Sequence, residues 1–255
     1  MLRRLVFGLL AAGLLSLGAA TAPAAVVWSA GMETGDISEW GPHSSQDSGS
    51  CSRSVTTELA HSGTHSLKLT IDTTNGKAAC RQHRNKEAVS GNTYYYSAWY
   101  YYPTVFFPVK EQYNVFQFKS HGTMYPSPKP QPFWSIEATQ SPLTFALNWK
   151  GGDVSDTDGI RGPYANSTVS QKEYRSTTQV PIGRWFQIEA YLVQSGQFTG
   201  TLTVWIDGTL VWDFQDVRTK WPGGDQRWSV NNYSNSLDPP VYTAFIDDAQ
   251  ISTTK

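Results

Sequence analysis

The sequence predicts an all-β fold of two stacked antiparallel sheets, on three observations. Short runs with period-two apolar alternation recur along the chain, set apart by Gly, Pro, Asn and Ser clusters. No segment carries an amphipathic helical pattern longer than a turn. Aromatic residues make up 13% of the chain, with ten Trp and thirteen Tyr, bulk that a large sandwich core can absorb.

Residues 1–24 stand apart from this pattern. Arg3 and Arg4 precede an apolar run from Leu5 to Leu17, and Ala22-Pro23-Ala24 supplies small residues for cleavage. That is the form of a signal peptide, so residues 25–255 are expected to make one β domain. Along it, "HSLKLTID" sets Leu67, Leu69 and Ile71 on one face. "TYYYSAWYYYP" is aromatic on both faces, as a central strand would be. In "YNVFQFKSHG" strict alternation puts Asn114, Phe116 and Phe118 on one side, and Val115, Gln117, Lys119 and His121 on the other. "LTFALNWK" turns Leu143, Phe145, Leu147 and Trp149 inward. The stretch from Gly151 to Gln179 has no apolar periodicity and reads as a loop beside a cleft. "GRWFQIEAYLVQS" points Phe186, Ile188, Ala190 and Leu192 inward, with Gln187, Glu189 and Tyr191 opposite. "GTLTVWIDGTLVWDF" is a hairpin turning at Asp207-Gly208, a pair that tolerates positive φ. "RWSVNNY" and "VYTAFIDDAQIS" close a set of about eleven or twelve strands. Two sheets of this size, curved, make a jelly roll of concanavalin A-like form with a concave groove.

A formal charge of −1, from 20 basic and 21 acidic residues, excludes a global field selecting nucleic acid or membrane. A polyanion could bind only through a local basic cleft, and flat aromatic faces suit sugar rings. Cys51 and Cys80 are the only cysteines, and in an exported chain they are expected to pair. A monomer is expected.

Three clusters carry candidate chemistry. "CRQHRNKE" holds Arg81, His83, Arg84, Lys86 and Glu87, by itself no more than a solvated charged turn. Beside Gln117, Lys119 and His121 it would form a basic patch suited to an acidic sugar. In "WSVNNYSNSLDPP" Asn231 and Tyr233 share one strand face, opposite Trp228 and Asn232.

In this order, with "GRWFQIEAYL" and "GTLTVWIDG" between them, these segments resemble the secreted polysaccharide lyases of the heparin lyase I and glucuronan lyase type, from about Glu33 to Ser252. Gln117 and His121 stand four apart, where alginate lyases of this fold carry Gln-Ile-His. The resemblance implies β-elimination on a uronic-acid polysaccharide, glucuronan-like, outside the cell. Arg84 and Gln117 would neutralise the uronate carboxylate. His121 and Tyr233 would move protons, with base and acid unassigned, and Arg81, Lys119, Asn231 and Tyr191 would bind substrate. It also implies a structural Ca2+ held by Glu33, in "GMETGDISEW", and Asp247, in "FIDDAQIS". Two rivals remain: a glycoside hydrolase, for which Glu137 and Glu189 are the attractive strand carboxylates, and a non-catalytic carbohydrate-binding module.

Overall fold

The structure is a computed structural model that describes residues 25–42, 44–84, 93–110, 113–120, 131–140, 142–153, 160–163, 169–221 and 226–255. The signal-peptide reading of residues 1–24 lies outside them. The strands run β1 (Val26–Ala30), β2 (Ser50–Thr56), β3 (Ser66–Asp72), β4 (Ala78–Arg84), β5 (Thr93–Tyr101), β6 (Phe107–Pro108), β7 (Tyr113–Ser120), β8 (Gln131–Thr139) and β9 (Thr144–Asp153). After these come β10 (Ile160–Pro163), β11 (Val169–Gln179), β12 (Trp185–Val193), β13 (Gly200–Ile206), β14 (Thr209–Val217), β15 (Gln226–Ser234), β16 (Leu237–Asp238) and β17 (Val241–Ser252). A single 3-10 turn, Ser38–Trp40, is the only helical element among the described residues, and no helix there is long and apolar enough to cross a membrane.

Two large antiparallel sheets form the sandwich. One has eight strands in the order β14-β13-β12-β5-β17-β3-β2, with β1 paired to the second half of β17. The other has seven, β10-β11-β9-β8-β7-β15-β4. The aromatic β5 sits mid-sheet, as its two-sided pattern predicts. Its Tyr96, Ala98 and Tyr100 meet Phe116, Phe118 and Trp228 of the other sheet in a common core. Burying one such large side chain contributes about 1.5–3 kcal/mol, so facing the apolar set inward decides the register of each strand. Asp207 and Gly208, at φ 49° and 72°, make the tight turn between β13 and β14.

Two polar devices fasten the sheets. Cys51 on β2 and Cys80 on β4 form a disulfide, with Cα atoms 5.3 Å apart, joining an edge strand of one sheet to an edge strand of the other. Asn232 on β15 points inward, and its Nδ2 donates to the carbonyls of Leu69 and Tyr242 across the core at 2.7 and 3.0 Å.

Two sequence expectations are corrected. Gly151–Gln179 is not a loop: β10 and the long β11 lie within it, and β11 pairs with β9. A strand held by its backbone ladder needs little apolar alternation, and Tyr174 alone packs on the core from its described side chains. In β7, strict alternation fails at Val115. The pairing to β8 shifts between Asn114 and Phe116, so Val115 and Phe116 both enter the core. That bulge moves Asn114 to the face of Gln117 and Lys119.

Candidate active site on the outer face of the seven-stranded sheet

Residues directly opposite one another in a ladder project to the same face, so the register assembles the site. One row across the sheet is His83, Ser229, Gln117, Ser135 and Asn148, from β4, β15, β7, β8 and β9. Beside it Tyr233, Asn114 and Glu137 form a second row, Arg81 faces Asn231, and Arg227 faces Lys119. Each of these strands turns its large apolar residues into the core, which leaves polar side chains and the small Ala79 and Ala146 for the outward face. That face is not a solvated one: Gln117, Ser229, Asn148 and Asn231 are all at most 3% exposed.

Cations converge at one end. The Arg81 guanidinium stands 4.5 Å over the ring of Tyr233, and its Nη1 donates to the carbonyl of Gln46 at 3.1 Å. Lys119 Nζ donates to the side-chain oxygen of the same Gln46 at 2.9 Å. Burial, aided by the like charges of Arg81, Arg227, Lys150 and Lys77, lowers the Lys119 pKa to about 7. Burial also lowers that of Arg81, which stays charged.

A carboxylate holds the centre. Glu137 accepts from Ser135 Oγ at 2.7 Å, from Asn114 Nδ2 at 3.5 Å and from Asn148 Nδ2. Asn114 in turn accepts from Asn231 Nδ2 at 2.6 Å. Burial pushes the Glu137 carboxyl up, opposed by the charge of Lys150 and the Ser135 and Asn148 hydrogen bonds. Four buried atoms of the face, Gln117 Oε1, Ser229 Oγ, Asn231 Oδ1 and Asn148 Oδ1, have no hydrogen-bond partner among the described residues. A buried polar atom left this way costs about 1–3 kcal/mol, and a cluster of them marks where a polar ligand would sit.

Of the residues singled out in the sequence, Arg81, Gln117, Lys119, Asn231 and Tyr233 share this face. His121 lies outside the described residues. Arg84 does not join them. It pairs with Trp228 and points to the inner side, stacked 4.7 Å over Trp28 with Nη1 donating to the carbonyl of Trp40 at 3.1 Å. The reason is parity: Cys80 must face inward to reach Cys51, which sends Arg81 and His83 out and Arg84 in. Tyr191 is also misplaced by the sequence reading. It stands on the outward face of the other sheet, 4.8 Å from Tyr95, because its inward neighbours are Ala190 and Leu192. His83, named in the same basic patch, also falls on this face by the parity of Cys80; Arg227 and Asn148 are not among the sequence candidates, and Glu137 is one only for the hydrolase reading.

Glu33 and Asp247 meet the same segment rather than each other. Glu33 accepts from the amides of Thr64 and His65 at 3.0 and 2.9 Å, which lower its pKa to about 2. Asp247 accepts from the amides of His61, Ser62 and Asp248. N–H donors surround both carboxylates, where a hard cation takes carbonyl and carboxylate oxygens. Asp47, Cys51 and Cys80 are the only described residues of ligating type clustered in threes, and both cysteines are spent in the disulfide. Glu33 and Asp247 as a pair do not fit a shared calcium ion.

Likeness to known proteins agrees with the architecture. The fold matches an endo-β-1,4-glucuronan lyase from the fungus Trichoderma reesei with a TM-score of 0.71 at 17% identity, over 90% of this chain and 96% of that one. It also matches alginate lyase vAL-1 from Chlorella virus, at 0.59 and 12% identity over 90% and 100% of the two chains. A third match is the PL-14 alginate lyase from Aplysia kurodai, at 0.54 and 14% identity over 89% and 98%. No curated protein sequence matches significantly. The family model described as "Polysaccharide lyase" matches residues 32–249, nearly all of the described fold, and the chain therefore belongs to the polysaccharide lyase family.

Proposed function

We propose that this lyase cleaves a glucuronan-like uronic-acid polysaccharide outside the cell by β-elimination, on the outer face of the seven-stranded sheet. The observation that carries the reading is the coincidence, on one buried face, of unpartnered polar atoms with the cations Arg81, Lys119 and Arg227. Elimination needs the uronate carboxylate neutralised so that the C5 proton becomes acidic. Arg81 and Gln117 take that role, with charge developing in a water-poor site where such groups count most. Lys119, with a pKa near 7, removes the C5 proton and Tyr233 protonates O4. The C5–H and C4–O4 bonds break, and a C4=C5 double bond forms. The glucuronan lyase likeness supports the substrate, and the disulfide supports an oxidising compartment.

Glycoside hydrolysis is disfavoured by placement. Its two carboxylates must flank one bond, roughly 5–9.5 Å apart. Glu137 faces outward on the seven-stranded sheet, whereas Glu189, beside Lys255, faces outward on the eight-stranded one. Incubation with glucuronan, alginate, heparin, hyaluronan and pectate, followed by ultraviolet absorbance, tests the proposal. An unsaturated product from glucuronan first among them is expected. New reducing ends without absorbance, or retention on a gel without cleavage, would replace it with hydrolysis or simple binding.

A further inference from the structure

The hydrogen bonds around Glu137 have a direction. An ionised carboxylate only accepts, so the neighbouring amides must turn their NH2 groups toward it. Asn148 does so, and its Oδ1 is left without a partner. Asn114 does so too, which forces its Oδ1 toward β15, where it accepts from Asn231 Nδ2 at 2.6 Å. Asn231 is then left with an unpartnered Oδ1. One buried carboxylate thus orders amides on three strands, and both chains of orientation end in a bare carbonyl oxygen. Gln117 Oε1 adds another acceptor in the row between them.

We propose that Glu137 is a positioning residue that fixes Asn231 and Asn148 with their carbonyl oxygens toward the substrate, so that the site selects uronate units whose hydroxyls are free. It rests on the lyase reading of this face. Acceptors of this kind are satisfied by sugar O–H groups, whereas an O-acetyl ester offers no proton and leaves them buried and unpaired. Sites built to bond a hydroxyl reject analogues lacking it by several orders of magnitude. Arg81 and Arg227 attract any anionic sugar; the acceptor row discriminates among them.

Glu137→Gln removes the ordering charge and adds a donor, so one of its amide neighbours must flip. Glu137→Gln combined with Asn114→Asp moves the carboxylate one step along the chain. Gln at 137 then accepts from Asn148 and donates to Asp at 114, which still accepts from Asn231. The experiment measures kcat and KM for the wild type and both variants on a glucuronan and on its O-acetylated derivative, with melting temperatures alongside. The wild type should prefer the free polymer by about 100-fold or more in kcat/KM. Glu137→Gln should shrink that preference at least tenfold, mainly through KM, and the double variant should restore it. A Glu137→Gln protein that melts like the wild type and keeps the full preference overturns the proposal. Should Glu137→Gln fail to fold, a folded double variant without the preference overturns it equally. Gel retention on the two polymers reads the same preference without turnover. A wild type that retards on the free polymer only, yet cleaves neither, sinks the lyase reading of this face and leaves the acceptor row standing.

Discussion

Lys119 is the residue whose environment says most about its chemistry. Buried among Arg81, Arg227 and Lys150, it titrates near pH 7 in place of its ordinary 10.5. A base must be deprotonated to act, so kcat/KM should rise as pH climbs through about 7. Lys119→Arg should hold the charge, remove the base and cut turnover by about 10²–10⁴-fold, with the acidic limb lost. The same shift carries a stability consequence with a fixed sign. The folded pKa lies below the unfolded one, so the unfolded chain binds more protons between pH 7 and 10.5, and stability rises across that window. Below pH 7 the full cost of the buried charge is present, and Lys119→Met should raise the melting temperature there most. Melting the two proteins from pH 5 to 10 checks this: a constant difference would mean that Lys119 keeps an ordinary pKa. Tyr233→Phe, which removes one hydroxyl and leaves the ring under Arg81, should lower kcat by orders of magnitude at nearly unchanged melting temperature.

Strand parity decides which members of each element reach the site, and β4 is the clearest instance. Arg81 and Arg84 look alike in sequence, yet one lies over Tyr233 and the other over Trp28. Arg81→Ala should abolish most activity with little loss of stability. Arg84→Ala should do the reverse, because it removes packing on Trp28 and the bond to the Trp40 carbonyl. Equal losses of activity from both would deny the assignment. The bridge to β2 holds this edge strand in place, and opening the Cys51–Cys80 loop, a separation of 29 residues, should cost about 3 kcal/mol and raise KM through loosened Arg81 and His83. Here the limits of reading the sequence are physical. Alternation gave the inward faces of β9 and β12 correctly, because the pairing to β8 through Trp149 and the pairings of β12 carry no register shift. It failed in β7, where an extra residue at Val115 returns Asn114 to the polar face, since a bulge leaves no mark in an apolar count. β11 was missed for another reason: its ladder to β9, not its side chains, holds it in the sheet. Tyr191 and Arg84 were misjudged by residue type where face parity, already legible, pointed elsewhere.

At the scale of the whole molecule, a chain of net charge −1 gathers a group of cations around Lys119 on the seven-stranded sheet. Arg81, Arg227, Lys150 and Lys77 all bear on Lys119, while the opposite outward face carries Glu189 with Lys255, and Trp205 and Tyr95. Long-range attraction of a polyanion therefore acts on this face, where the cations cluster without a carboxylate for each, so approach and orientation are coupled. Salt acts on the approach more than on the chemistry. The Debye length shrinks from about 30 Å at 0.01 M to about 10 Å at 0.1 M, which screens the approaching polymer but not groups already buried against it. KM for glucuronan should thus rise several-fold between these ionic strengths while kcat changes little. Arg227→Ala, which removes a partly exposed cation beside Lys119, should flatten that dependence and also allow Lys119 to regain a proton more easily, moving the acidic limb of the rate profile upward. Initial rates across a salt series at two pH values separate the two effects. A KM indifferent to salt would mean that the cations of this face serve the reaction only after contact, and that recognition begins with the uncharged acceptors ordered by Glu137.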